Sequence, residues 1–403
     1  MRMRGTVGRG GVLLGMLAAL VIVAALMPIA RPAQGDGGAP NLIYVVGGGP
    51  SDEDLVVIDV QQRAVAWRLP LSGIPYAVAL SPDGRYAYVT IASNGMLDVI
   101  DAHDKKVVAE FPVGKEPTGM ALDTTTATQR LLVTDAGESA LAVVDATKHT
   151  VLDTITVGPH PSSVAIAGPA SGIKDPTHAE AWVTSTDGKS VSVVDLATLQ
   201  VIATIPMPAP ALTVIIPQTS QVAYIGLDDG GIEVVRLASH TALGSLFTLK
   251  GSASAQMDYN AITGSIYVPD PTGNVVQVLR PATGDSDIMP NEPIRTLPFG
   301  DEPAAVAIPF DGSFAVIAHR ATGQVTMLDL GTQKPIAQVQ VFGHPVALIT
   351  GSYPPALSGV NAAAVGLIIT VIVLGGFVVV GQLLIITNRR TKKMQKRRAA
   401  NDA

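Results

Sequence analysis

The chain has 403 residues, of which 47% are apolar and only 15% charged, with 40 glycines, 29 prolines and no cysteine. Without cysteine, disulfides, thiolate metal sites, thiol nucleophiles and covalent haem attachment through C-x-x-C-H are excluded, so stability must come from burial. The formal net charge of −6 understates an asymmetry: residues 32–388 hold 16 bases against 32 acids, a surface that repels nucleic acid and favours cations or basic partners.

In chain order, the first predicted element is an uncharged apolar run, GVLLGMLAALVIVAALMPIA at residues 11–30, preceded by Arg2, Arg4 and Arg9. That polarity reads as a signal peptide or signal anchor over residues 1–35, with Ala33 and Gly35 as the small residues of a cleavage site. The middle of the chain then repeats itself. An apolar pair ends a short alternating stretch at Tyr44-Val45, Tyr88-Val89, Leu132-Val133, Trp182-Val183, Tyr224-Ile225, Tyr267-Val268 and Val316-Ile317. A second series follows in step at Val57-Ile58-Asp59, Val99-Ile100-Asp101, Val143-Val144-Asp145, Val193-Val194-Asp195, Val234-Val235-Arg236, Val278-Leu279-Arg280 and Met327-Leu328-Asp329.

Both series count seven units, spaced by 42 to 50 residues in the first series, each with room for four short period-2 strands. Such units are blades, so the fold class is all-β: a seven-bladed β-propeller of four-stranded blades over residues 41–350. The chain enters at a second strand (Leu42 to Val46) and leaves on an orphan first strand (Pro345 to Thr350), which predicts that the C-terminal strand closes the first blade.

The unit Ile74 to Gly114, with IPYAVALSPDG, YAYVT, LDVID and VVAEFPVG, resembles the YVTN family of β-propeller repeats. The resemblance runs over roughly residues 41–350 and weakens in units five and six, where Arg236 and Arg280 replace the strand-end aspartate. It implies a seven-bladed propeller of a kind common among exported and surface-layer-type prokaryotic proteins, and no single activity.

After a linker at 351–361, residues 362–387 carry no charge and are long enough to cross a hydrocarbon core of about 30 Å. Seven cations from Arg389 to Arg398 follow, so the positive-inside rule predicts a transmembrane helix with a basic cytoplasmic tail at 388–403. The expected location is the cell membrane, single-pass after signal cleavage, with the propeller extracytoplasmic.

Candidate site residues come from the loops between the fourth strand of one unit and the first of the next, which open at the channel mouth. Glu116 and His160 fall on adjacent blades, as do Glu302 and His344, with Asp301 beside Glu302. Imidazole and carboxylate together suit a divalent metal or a cationic ligand, making Glu116, His160, Glu302 and His344 the candidate metal set. His319 and Arg320, in the last blade, are expected to face the same mouth and to suit an anion. The strand-end aspartates are instead expected to cap turns. Two insertions, Gly168 to His178 and Pro281 to Pro293 (with Asp285, Asp287 and Glu292), are further recognition candidates.

No G-x-S-x-G, P-loop, dinucleotide fingerprint or H-E-x-x-H occurs. The leading expectation is therefore a binding or scaffold module for a protein or small-molecule ligand; the alternative is a metal-dependent, lactonase-like hydrolase at the channel mouth.

Overall fold

The computed structural model describes residues 41–351 apart from 50, 51, 127, 128, 176 and 283–291, all within the first of two compact units, Met1–Pro354. The expected signal segment, transmembrane run, basic tail and most of the Pro281 to Pro293 insertion lie outside the described residues. Among the described residues, no helix is long and apolar enough to cross a membrane.

Seven four-stranded antiparallel sheets are formed. Blade 2 is β4 (Pro75–Leu80), β5 (Tyr86–Ile91), β6 (Met96–Asp101) and β7 (Lys106–Pro112). Blade 3 is β8 (Pro117–Asp123), β9 (Arg130–Asp135), β10 (Ala140–Asp145) and β11 (Thr150–Thr156); blade 4 is β12 (Pro161–Ala167), β13 (Glu180–Ser185), β14 (Ser190–Asp195) and β15 (Gln200–Pro206). Blade 5 comprises β16 (Ala211–Ile215), β17 (Val222–Leu227), β18 (Gly231–Arg236) and β19 (Thr241–Thr248). In blade 6, β20 (Asp258–Tyr259) precedes β21 (Ile266–Asp270), β22 (Val275–Leu279) and β23 (Arg295–Pro298). Blade 7 is β24 (Pro303–Ala307), β25 (Phe314–His319), β26 (Gln324–Asp329) and β27 (Pro335–Gln340).

Blade 1 joins both ends of the propeller. Its order is β28 (Pro345–Gly351), β1 (Leu42–Gly47), β2 (Asp54–Asp59) and β3 (Ala64–Pro70), so the C-terminal strand supplies the innermost position as the register predicted. Leu42 pairs with Gly351 and Tyr44 with Ile349, and the Asn41 amide donates to the Gly351 carbonyl at 3.0 Å.

The strand periodicity explains the core. Successive side chains point to opposite faces, and each face of a blade meets a neighbour. Ile43 and Val45 of β1 pack against blade 7, whereas Tyr44 and Val46 pack against blade 2. Seven apolar clusters result, one for each junction between adjacent blades. The second strand of each blade is therefore buried almost throughout, while outer strands such as β7 alternate between exposed and half-buried positions.

The strand-end aspartates cap turns, as expected from the sequence. Asp101 Oδ1 accepts the His103 and Asp104 amides at 3.0 Å each, and Asp145 Oδ1 accepts those of Thr147 and Lys148 at 2.9 Å each. After each of these turns one residue takes a left-handed backbone, Lys105 (φ 55) and His149 (φ 57), and the register then shifts within the outer strand pair. Such bulges twist the outer edge and interrupt the flat row of amides that would otherwise template pairing with another chain.

Candidate functional site

The innermost strands enclose an axial cavity of about 790 Å³. Its wall is built mainly from apolar and small residues, including Ala77, Val78, Gly119, Leu212, Met257, Val346 and Leu348. Small residues recur here because seven strands converge on one axis. At Gly119 an added Cβ would lie 2.7 Å from the Ser162 carbonyl oxygen of the next blade.

Threonines of the YAYVT-type strands sew this inner ring together. The inner strands of blades 2, 3 and 4 each carry a bulge, and the threonine hydroxyl of the neighbouring second strand (Thr90, Thr134, Thr184) bonds a backbone group beside it. The Ala77 amide donates to Thr90 Oγ1 at 3.0 Å, and Thr90 Oγ1 donates to the Thr118 carbonyl of blade 3 at 2.8 Å. Thr118 Oγ1 reaches the Pro161 carbonyl of blade 4 at 3.0 Å; Ser162 Oγ reaches the Leu212 carbonyl of blade 5 at 2.7 Å.

Blade 6 solves the same problem differently. Its inner strand lacks the opening proline of β4, β8 and β12 (Pro75, Pro117, Pro161), its second strand lacks the threonine, and the inner strand is only two residues long. Gln256 forms an isolated parallel bridge to Ala305, and its side chain spans blade 7 to reach blade 1, donating from Nε2 to the Leu348 carbonyl at 2.8 Å and accepting the Leu348 amide at 3.1 Å. Beside it, Asp258 accepts the amides of Ile308 at 2.7 Å and Tyr259 at 2.8 Å; burial pushes its carboxyl up to about 7 against the pull of those two bonds.

Of the residues proposed from sequence, three line the cavity: Glu116, His160 and Arg320, from blades 3, 4 and 7. His160 holds a left-handed backbone (φ 53), fixed where its carbonyl accepts the Thr186 amide at 3.1 Å. Tyr76, also on the wall, has its phenol pushed upward by desolvation and then by the Glu116 carboxylate.

The others are placed elsewhere. Asp301 and Glu302 are exposed, outside the cavity wall, in a left-handed run with Gly300 (φ 67, 58 and 52 from Gly300 to Glu302). His344 turns to Asp52 rather than to Glu302, with Nδ1 3.2 Å from Asp52 Oδ2. His319 does not face the mouth: it is the last residue of β25, 3% exposed, with Nε2 2.8 Å from Thr326 Oγ1 and the Phe299 ring against it. Burial there depresses its affinity for a proton, opposed by Asp301.

The candidate metal set is accordingly not assembled. Among the described residues, the group of three potential ligands within 4.8 Å is Asp101, His103 and Asp104, not Glu116, His160, Glu302 and His344. The reason is geometric: the four lie on loops of different blades around a wide mouth, and one is already engaged by a carboxylate of its own blade. The Asp101 group is itself occupied, with Arg85 Nε 3.4 Å from Asp101 Oδ2 and Lys106 Nζ 2.9 Å from Asp104 Oδ2.

A set of buried carboxylates that position the mouth was not foreseen. Asp52 accepts the Gly343 and His344 amides at 3.1 and 2.9 Å. Asp135 accepts those of Lys115, Glu116 and Gly137 at 3.0, 2.8 and 3.1 Å, and so fixes the loop that carries Glu116. Asp270 does the same for Lys250 and Gly273 at 3.3 and 2.7 Å. The signal was present in the aligned ends L-V-T-D at 132–135 and Y-V-P-D at 267–270.

The insertion at Gly168 to His178 is pinned down rather than held out as a free loop. Gly172 N donates to the Ser220 carbonyl at 3.0 Å, Ile173 is buried, and His178 Nδ1 lies 2.9 Å from Asp195 Oδ2.

No family model matches the chain. It is 26% identical over 193 residues to "Uncharacterized protein YncE" of Salmonella typhi, a match covering 47% of this chain and 52% of the relative. The same figures hold for the protein of that name in Salmonella typhimurium strain LT2, so the chain spans about half the length of the curated relatives it matches. Among solved structures it is similar to hydrazine synthase of Kuenenia stuttgartiensis, with a TM-score of 0.58 and 17% identity over 72% of this chain and 96% of that one. A functionally unknown protein of Desulfotomaculum acetoxidans DSM 771 gives 0.59 and 12%, covering 77% and 99% of the two chains. Dihydro-heme d1 dehydrogenase NirN in complex with DHE gives 0.54 and 15%, covering 76% and 74%.

The likeness is one of fold. These identities carry the seven-bladed, four-stranded architecture to this chain, together with a weak sequence relationship to YncE, while the cavity residues must be read from this chain's own chemistry.

Proposed function

We propose that the protein is a binding or scaffold module whose ligand enters the axial cavity past Glu116, His160 and Arg320. The observation that carries this reading is the cavity itself. Its volume falls within the range of roughly 300–1,000 Å³ typical of small-molecule sites, and Glu116, His160 and Arg320 bring charge-bearing groups to its wall from three blades. A rigid ring with a mostly apolar wall and a few polar groups at one end suits capture of a ligand by shape and a small number of directional contacts.

Ser254 lines the cavity and is exposed, so Ser254→Trp fills the space with little disturbance of the strands. A ligand that binds only the folded protein raises its stability by mass action. In a thermal-shift screen, cavity ligands are expected to raise the Tm of the wild type and to leave that of Ser254→Trp unmoved. A broad library without stabilising compounds, or with compounds that act equally on both proteins, would falsify the reading.

We also propose display on the extracytoplasmic side of the cell membrane. Support comes from the uncharged run at 362–387 with seven cations after it, and from the charged-then-apolar N-terminal segment. Protease added to intact cells is expected to cut the propeller loops and spare the basic tail; the reverse pattern overturns this orientation.

A further inference from the structure

Arg320 is a cation without a counterion. Three other arginines of the propeller have partners: Arg130 Nη2 lies 2.6 Å from Asp123, Arg85 pairs with Asp101, and Arg68 Nη2 donates to the Val341 carbonyl at 2.6 Å. The side chain of Arg320 has no ion pair or hydrogen bond among the described residues, and its Nε is shielded from solvent with no acceptor. Its backbone is nonetheless held firmly. The Arg320 amide donates to the Glu302 carbonyl at 3.0 Å and the Ala321 amide to that of Asp301 at 3.3 Å, so the left-handed run beneath it supplies backbone contacts and neither carboxylate.

A buried donor left unsatisfied costs about 1–3 kcal/mol, more when charged, and in a native protein it calls for an explanation. Arg320 itself lines a cavity whose wall also carries the apolar side chains of Leu212, Met257 and Leu348. We infer that the cavity recognises an amphipathic carboxylate: the anionic end is received by the Arg320 guanidinium, and an apolar body lies along the inner strands. This rests on the binding reading above and adds the class of ligand. The planar guanidinium fork matches a carboxylate with two parallel bonds. A single guanidinium with Glu116 on the same wall favours a monoanion over a doubly charged phosphate.

Calorimetric titration of the full-length protein with naphthalene-2-carboxylate, its neutral methyl ester and naphthalen-2-ylmethylammonium tests the inference. The carboxylate is expected to bind at least about tenfold more tightly than the ester, a difference of about 1.4 kcal/mol. Arg320→Gln is expected to erase that advantage and Arg320→Lys to keep part of it. Without ligand, Arg320→Gln is expected to melt no lower than the wild type, because it removes an unsatisfied donor; a merely structural arginine would lower the Tm. Equal affinity for carboxylate and ester, an advantage that survives in Arg320→Gln, or no binding of any of the three probes overturns the inference. If the ester or the ammonium binds best and Ser254→Trp abolishes it, the anion assignment falls while the binding reading stands.

Discussion

Blade 3 and blade 6 occupy equivalent places in one ring and are held in it by different chemistry. Both keep a buried aspartate at the end of the second strand, Asp135 and Asp270, that grips the connection entering the blade. At the axis they part. Blade 3 uses the hydroxyls of Thr118 and Thr134, 2.8 Å apart, to tie its seven-residue inner strand to the next blade, whereas blade 6 keeps two residues of strand and one long amide, Gln256. Blades 3 and 6 thus share the grip on the entering loop and differ in the inner tie, which is exchangeable provided the backbone groups released at the axis find partners.

The sharpest way to break this comparison is at the grip. Asp135→Ala strands three amides and is expected to cost about 3 kcal/mol, read as a shift in the urea midpoint, with Asp270→Ala behaving alike in blade 6. A loss below about 1 kcal/mol at both would show that the grip is dispensable. Next comes the tie of blade 6. Gln256→Ala leaves both Leu348 backbone groups without their partner and is expected to lose about 2 kcal/mol; an unchanged midpoint would mean that water replaces the amide. Thr134→Val, its counterpart in blade 3, keeps the shape and removes one hydroxyl, for an expected loss of about 1–1.5 kcal/mol.

The smallest effect is one of pH. Asp258 has its folded pKa raised to about 7, so the folded state holds a proton that the unfolded chain gives up near pH 4. Its contribution to stability is therefore full below that point and declines as pH rises through about 7. Asp258→Asn is expected to flatten this decline in a series of melts, and an identical slope in both proteins would assign it to other groups.

The propeller was legible because its strands bury both faces: a stretch such as Tyr88-Val89 must be apolar on each side, and it returns once per blade. Closure was legible from the register, since a chain that starts on a second strand leaves one place vacant. Function-related positions were legible only as loops. Glu116, His160 and Arg320 do reach the cavity, but His319 is one residue too early and turns into the core, a change of face that follows from the two-residue period. His344 was misassigned because its partner, Asp52, is 292 residues away in the chain. Gln256 was invisible for the same reason: a glutamine that ties two blades looks like any polar loop residue until Leu348, 92 positions on, is placed beside it.

The pairing of Leu42 with Gly351 has a mechanical side. In an antiparallel pair, the start of one strand lies beside the end of the other, so a pull that separates these two ends loads the ladder one rung at a time instead of all rungs in shear. The seam that makes the ring thermodynamically whole is thus also where a pulling force would open it first, peeling β28 from β1 like a zip from its slider.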